Sequence, residues 1–260
     1  MYILIHSSKT MRPPGTGLAI SERPALATKT HELAQYLKSL TPAQIAKTMK
    51  ISNKLAIITH ELAAGWTDDA ARQRAAVDSF LGDIYSGLQV ASWTNEDRRY
   101  ANKTLRILSG LYGILRPLDG IYPYRLEMGY RLPGDRFKNL YDFWGSSVAE
   151  TIPGDETIIN LAAVEYSKPV TKYHDPQLVV TPEFLTVNPK THEPGFVVVH
   201  TKIARGAFAS WLIRNRITKP VDILKFDELN YRYDKKLSTP ARPVFVCETF
   251  GGIGLSVRLS

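Results

Sequence analysis

"LSGLYGILRPLDGIYPYRLEMG", residues 108–129, sets glycines at 110, 113, 120 and 129 and prolines at 117 and 123 around Arg116, Asp119, Tyr124, Arg125 and Glu127. Glycine marks places where a chain turns tightly or another backbone comes close, and proline ends a helix, so no long helix crosses this stretch. Just upstream, Leu105 and Leu108 fall on the apolar side of a helix that stops at Ser109-Gly110, where glycine takes a left-handed cap. "GLYGILRP" is then a tight reversal before a second short segment. That is the outline of a helix-hairpin-helix, a module whose hairpin amides face a DNA phosphate. Two residues separate Gly110 from Gly113, wider than the usual hairpin spacing, and a glycine-rich packing turn fits the same letters.

Working outward, residues 28–118 are helix-rich. "LTPAQIAKTM" offers Thr41 as N-cap, Pro42 at the first helical position and Gln44 three residues on, a capping box. Ser52, and Thr94 with Asp97, repeat the signal. From 157 to 250 the period shortens: "TIINLAA" (157–163), "QLVVTPEFL" (177–185), "FVVVHT" (196–201) and "VFVCETF" (244–250) read as strands. "IARGAFASWLIRNRI" interrupts them with Ala204, Ala207, Phe208, Trp211 and Leu212 on one helical face. The opening "MYILIHSSKT" is a short buried strand at 2–6, expected to join the later strands. The whole is one interleaved α+β domain over residues 1–260.

Composition bounds the function. A net charge of +8, from 33 Lys and Arg against 25 Asp and Glu, favours an anionic partner. The chain has no membrane-length apolar run and does not open on a signal-peptide pattern, so a cytoplasmic protein is expected. The single Cys247 excludes an intramolecular disulfide and a thiolate cage, and its strand-like surroundings predict a packed side chain. Lys9-Thr10 has no glycine-rich run before it, so it is not a phosphate loop. The six histidines show no metal-ligand spacing. Neither a cofactor nor a metal is implied.

Two stretches carry candidate chemistry. Lys202, Arg205, Arg214, Arg216 and Lys219 occur with no acidic residue among them, which makes either a phosphate-contacting ridge or a solvated helix face. "INLAAVEYSK" delivers Asn160, Glu165, Tyr166 and Lys168 just past a strand end, where α/β proteins often place sites.

"LTPAQIAKTMKISNKLA" (40–56), "FLGDIYSGLQ" (80–89), "LRILSGLYGILRPLDGIYPYRLEMG" (105–129), "LYDFWG" (140–145), "INLAAVEYSKPV" (159–170) and "TKIARGAFASWLIRNRITKPVDILKF" (201–226) together resemble the bacterial peroxide stress protein YaaA family. The resemblance implies a mixed α/β "cannon-like" fold with a helix-hairpin-helix element and a positively charged cleft. It also implies binding to double-stranded DNA and a cytoplasmic role in limiting iron-linked oxidative damage. The family's opening Ser-Pro-Ala-Lys-Thr stands here as His6-Ser7-Ser8-Lys9-Thr10. Lys9 and Thr10 fit; His6 and the missing proline depart.

Two functions follow as expectations. In the first, a DNA-binding stress-protection protein tracks the phosphate backbone with Gly110, Gly113, Arg116, Lys168, Lys202, Arg205, Arg214 and Arg216. In the second, an enzyme acts on an anionic or nucleobase-like small molecule. Its catalytic set is Lys9, Arg125, Glu127, Glu165 and Lys202, with Glu127 or Glu165 as general base, and Thr10, Tyr124, Asn160 and Tyr166 line its pocket. Carboxylates cost affinity for phosphate unless they orient a cation or move a proton, so the glutamates argue for the second.

Overall fold

A computed structural model describes residues 1–15, 23–134, 136 and 138–252. Strand β1 (Tyr2–His6) has Ile3, Leu4 and Ile5 wholly buried, and β2 (Thr10–Met11) follows a short turn. Helices α1 (Ala27–Ser39), α2 (Pro42–Met49) and α3 (Asn53–Gly65) come next. The Thr41 hydroxyl accepts from the Gln44 amide while the Gln44 side chain accepts from the Thr41 amide, so the capping box forms, and Ser52 caps α3. Strand β3 (Arg74–Ala75), helix α4 (Ala76–Ser79), strand β4 (Phe80–Leu81), helix α5 (Asp83–Leu88) and helix α6 (Asn95–Thr104) lead to the middle of the chain. Thr94 and Asp97 close a second capping box.

The glycine-rich stretch departs from the helical expectation. Helix α6 ends at Thr104, Leu105 is already extended, and Leu105–Ser109 is strand β5. It turns through Gly113, at φ 69°, into β6 (Gly113–Leu115), and β7 (Gly120–Ile121) follows. Residues 105–115 are therefore a β-hairpin, with Ser109 opposite Gly113, rather than half of a helix-hairpin-helix. A short apolar run such as "LRIL" fits either period. Burial between two flanking strands decides for the strand.

Helix α7 (Leu140–Trp144), strand β8 (Ile158–Asn160), helix α8 (Val164–Thr171), strands β9 (Val179–Val180), β10 (Glu183–Val187) and β11 (Pro194–Gly195), helix α9 (Val198–Arg214), and strands β12 (Arg232–Thr239) and β13 (Arg242–Cys247) complete the order. "QLVVTPEFL" splits at Thr181-Pro182 into strands of two different sheets. "FVVVHT" is no strand: from Val198 it is the first turn of α9. Val198 and Val199 are half-exposed there, so their β-branched character has no packing behind it and tertiary context overrides propensity. Cys247 is buried, as expected.

The main sheet runs β6-β5-β1-β8-β9, and β1 lies parallel to both β5 and β8. Strand β1 thus pairs with one strand from the helix-rich part and one from the strand-rich part. Its neighbours lie on opposite sides, so a crevice opens at its carboxyl end, where open α/β sheets hold their ligands. A second sheet, β11-β10-β13-β12, packs against α9 through Phe184, Phe208, Phe226 and Phe245. The chain is a mixed α+β single domain, and among the described residues no helix is long and apolar enough to cross a membrane.

Helices α5 and α9 touch backbone to backbone. A Cβ on Gly87 would fall inside the carbonyl of Ile203 and 2.8 Å from the Ala207 nitrogen. One on Gly206 would fall inside the carbonyl of Ile84 and 2.7 Å from the Leu88 nitrogen. Gly87→Ala or Gly206→Ala should each cost about 3 kcal/mol in urea unfolding, at the upper end of overpacking, because two backbones must separate. Gly154→Ala, with nothing near its Cβ, should change stability by less than about 0.5 kcal/mol.

Candidate functional site

The turn after β1 carries His6, Ser7, Ser8, Lys9 and Thr10 into a cavity of about 310 Å³. Gly82, Asp83, Ile84 and Tyr85 at the start of α5 form the facing wall, and Glu127, Tyr166 and Lys202 complete it. The first two walls are tied together, because β2 pairs with β4 through Thr10↔Leu81 and Met11↔Phe80. Gly82, at φ 132°, lets the Ser8 hydroxyl come in close.

Lys9 Nζ lies 3.0 Å from Glu127 Oε2, with the lysine side chain 54% exposed and the glutamate 18%. Tyr130 also reaches Glu127, and burial with that contact holds its phenol far above the usual range. Glu127 is positioned by its own segment: Tyr124, Leu126 and Met128 are buried, which leaves the odd-numbered side chains to face away from the core. Glu165 Oε1 accepts the Gly129 N–H at 2.8 Å and so braces the same segment.

His6 is held by three contacts. Its ring stacks on Tyr166 at 4.9 Å and 18°, Nδ1 accepts the Ala163 N–H at 3.1 Å, and its carbonyl accepts the Tyr85 hydroxyl at 3.1 Å. Burial, with Arg205 and then Lys202 beside it, lowers the imidazole pKa from 6.5 to about 3. Ser7 is buried beside the Tyr124 and Tyr166 hydroxyls.

The cavity therefore gathers Lys9, Thr10, Glu127, Tyr166 and Lys202 of the expected residues and leaves the others elsewhere. Arg125 borders a separate small apolar crevice beside Leu111 and Trp66. Tyr124 is a core residue, bonded to Ser109 Oγ at 2.6 Å and pushed up to about 12 by burial. Asn160 Oδ1 accepts the Ala162 amide and shapes the turn after β8. Arg205 has a buried Nε with no hydrogen-bond partner and does not line the cavity.

The DNA-facing set disperses. Gly110 and Gly113 are buried, Gly110 against the Leu126 carbonyl and Gly113 against Trp144, so they offer no amides to a phosphate. Arg116 is clamped on Asp119 at 2.9 Å, and Lys168 sits over the Tyr141 ring at 4.9 Å. Arg214 pairs with Glu228 and Arg216 with Asp97, the latter at 2.7 Å, so acids from distant segments neutralise cations that have none nearby in sequence.

A model of the peroxide stress protein YaaA family matches residues 1–237. The chain belongs to this family. Its relatives include a UPF0246 protein of Salinispora tropica, 57% identical over 258 residues that span 99% of this chain and 98% of the relative. UPF0246 proteins of Marinomonas (39% identical, 95% of this chain and 96% of the relative) and Acaryochloris marina (38%, 94% and 99%) are similar over the same length. In this member of the YaaA family, sequence reasoning missed His6, Ser8, Asp83 and Tyr85. The "HSSKT" departure marked the first two; Asp83 and Tyr85 stood inside "FLGDIYSGLQ" with nothing to tie that block to β1.

The folded His6 stays neutral down to about pH 3, whereas in the unfolded chain it gains a proton near 6.5. The stability it contributes is complete above pH 6.5 and is lost as pH falls towards about 3. Urea unfolding should show the free-energy advantage of the native chain over His6→Gln shrinking by up to ~1.4 kcal/mol per pH unit through that window.

Proposed function

We propose that the cavity at the carboxyl end of β1 is the site of an enzyme acting on a small anionic molecule. Lys9 and Lys202 hold the anion and Glu127 takes the proton. The observation that carries this reading is the convergence of Lys9, Glu127 and Lys202, from three distant stretches of chain, on one half-open cavity of about 310 Å³. That size is at the lower end for small-molecule sites.

The geometry supplies a sequence of events. With no ligand, Glu127 neutralises Lys9 at 3.0 Å. An incoming anion competes for the ammonium, and Lys202 from α9 adds the second charge, so negative charge developing on the substrate meets two fixed cations. Glu127, released from Lys9 and 18% exposed, is then a carboxylate within the cavity and able to accept a proton. Glu165 acts at one remove, through Gly129, as a positioning residue. The family's name assigns its members to peroxide stress; in that setting the turnover of this substrate limits oxidative damage, the iron-linked kind included.

Double-stranded DNA is the second reading, favoured by the net charge of +8, which draws polyanions over long range. It has to work without the 109–116 hairpin and with Arg214 and Arg216 already paired.

Isothermal titration with inorganic phosphate should reveal one saturable site. Lys9→Ala combined with Lys202→Ala should weaken it at least tenfold, about 1.4 kcal/mol, while Arg214→Ala with Arg216→Ala leaves it within about twofold. Equal binding in the double lysine variant would overturn the assignment. Duplex DNA binding with a log–log salt slope of several units, each neutralised phosphate adding about −0.9, would instead favour the second reading.

A further inference from the structure

We propose that His6 is a binding residue of this cavity: an uncharged imidazole, fixed with its proton on Nε2, that donates this N–H to the oxyanion held by Lys9 and Lys202. The inference rests on the anion-site reading above and adds a third, directional contact that the lysines do not supply.

The tautomer follows from the neighbours. Nδ1 accepts the Ala163 amide proton at 3.1 Å and must present its lone pair there, so a neutral ring carries its hydrogen on Nε2. The 18° stack on Tyr166 fixes the plane of the ring, and turning it over would lose the Ala163 bond. Among the described residues Nε2 has no hydrogen-bond partner, and the residue borders the cavity. An N–H open to the cavity beside two ammonium groups can donate to a bound acceptor, and an oxyanion has several.

The surroundings keep the ring uncharged. Lys202 and Arg205 face it from α9, and both oppose a positive imidazolium. Tyr166, from α8, is held in its protonated form by burial, and Tyr85, from α5, donates to the His6 carbonyl and not to the ring. On the turn that His6 itself begins, Lys9 adds positive charge; the carboxylates lining the same cavity are Glu127, paired with Lys9 while no anion is bound, and Asp83 on the facing wall. A neutral donor serves where a third cation would repel the first two, and its contribution does not change across the range in which a free histidine titrates. The imidazole also points its N–H in one direction, whereas an ammonium is a rotatable point charge.

Sulfate, which does not titrate near neutrality, is the probe. Long-range proton–nitrogen correlation spectra of the labelled protein should show a protonated Nε2 and a bare Nδ1 from about pH 5 to 8, and sulfate should move the Nε2–H resonance. His6→Phe, which keeps the stack on Tyr166, should weaken sulfate about tenfold, and His6→Gln, which restores a terminal N–H, should recover most of the loss. Circular dichroism checks that both variants fold. Sulfate binding that is lost in Lys9→Ala with Lys202→Ala but intact in His6→Phe overturns this inference alone, as does a ring titrating near 6.5 or protonated on Nδ1. The absence of any sulfate binding to the native chain overturns it together with the anion-site reading.

Discussion

Two glycines facing each other across α5 and α9 set the geometry on which the site depends. Gly87 lies against the Ile203 carbonyl and Gly206 against the Ile84 carbonyl, so the helices approach as closely as their backbones allow. Helix α5 carries Asp83 to Tyr85 along one wall of the cavity, and α9 carries Lys202 along another. With ordinary side chains at the crossing the helix axes would stand at the usual 8–10 Å or so, and the two walls would part by a few ångströms. The contact also links α9, which packs on the phenylalanines of the second sheet, to the β2–β4 ladder that leads into α5.

The sequence was most legible where the physics is local. Thr41, Ser52 and Thr94 cap their helices through their own neighbours three residues on, so composition and spacing suffice. It was least legible where a partner distant in sequence decides. "LRIL" is a strand because β1 and β6 lie beside it, and "VVHT" is helical because the chain from Thr201 onward packs into the core. Pro182 separates two strands by lacking the N–H that one continuous ladder would need, and the proline itself was in plain view.

The site followed the same rule. Lys9, Glu127 and Lys202 could be picked out as charged residues at element ends, but only the fold decides that they share a volume that Arg125 and Glu165 do not enter. Charges misled in the opposite direction at the end of α9. Arg214 and Arg216 have no acid nearby in sequence, and Glu228 and Asp97 come to them from the chain on either side. A run of like charge in sequence says little about its electrostatic surroundings once the chain has folded.

The cavity draws its walls from stretches far apart in sequence: the turn after β1 is made well before α9. A chain emerging from a ribosome can close the β5–β1 pairing long before Lys202 exists. The cavity is therefore completed only once α9 has been made. Until then Lys9 and Glu127 lack the second ammonium that Lys202 brings to the cavity. The order of the elements along the chain thus sets when this volume can close: not before α9 is made, while β12 and β13 are still to come.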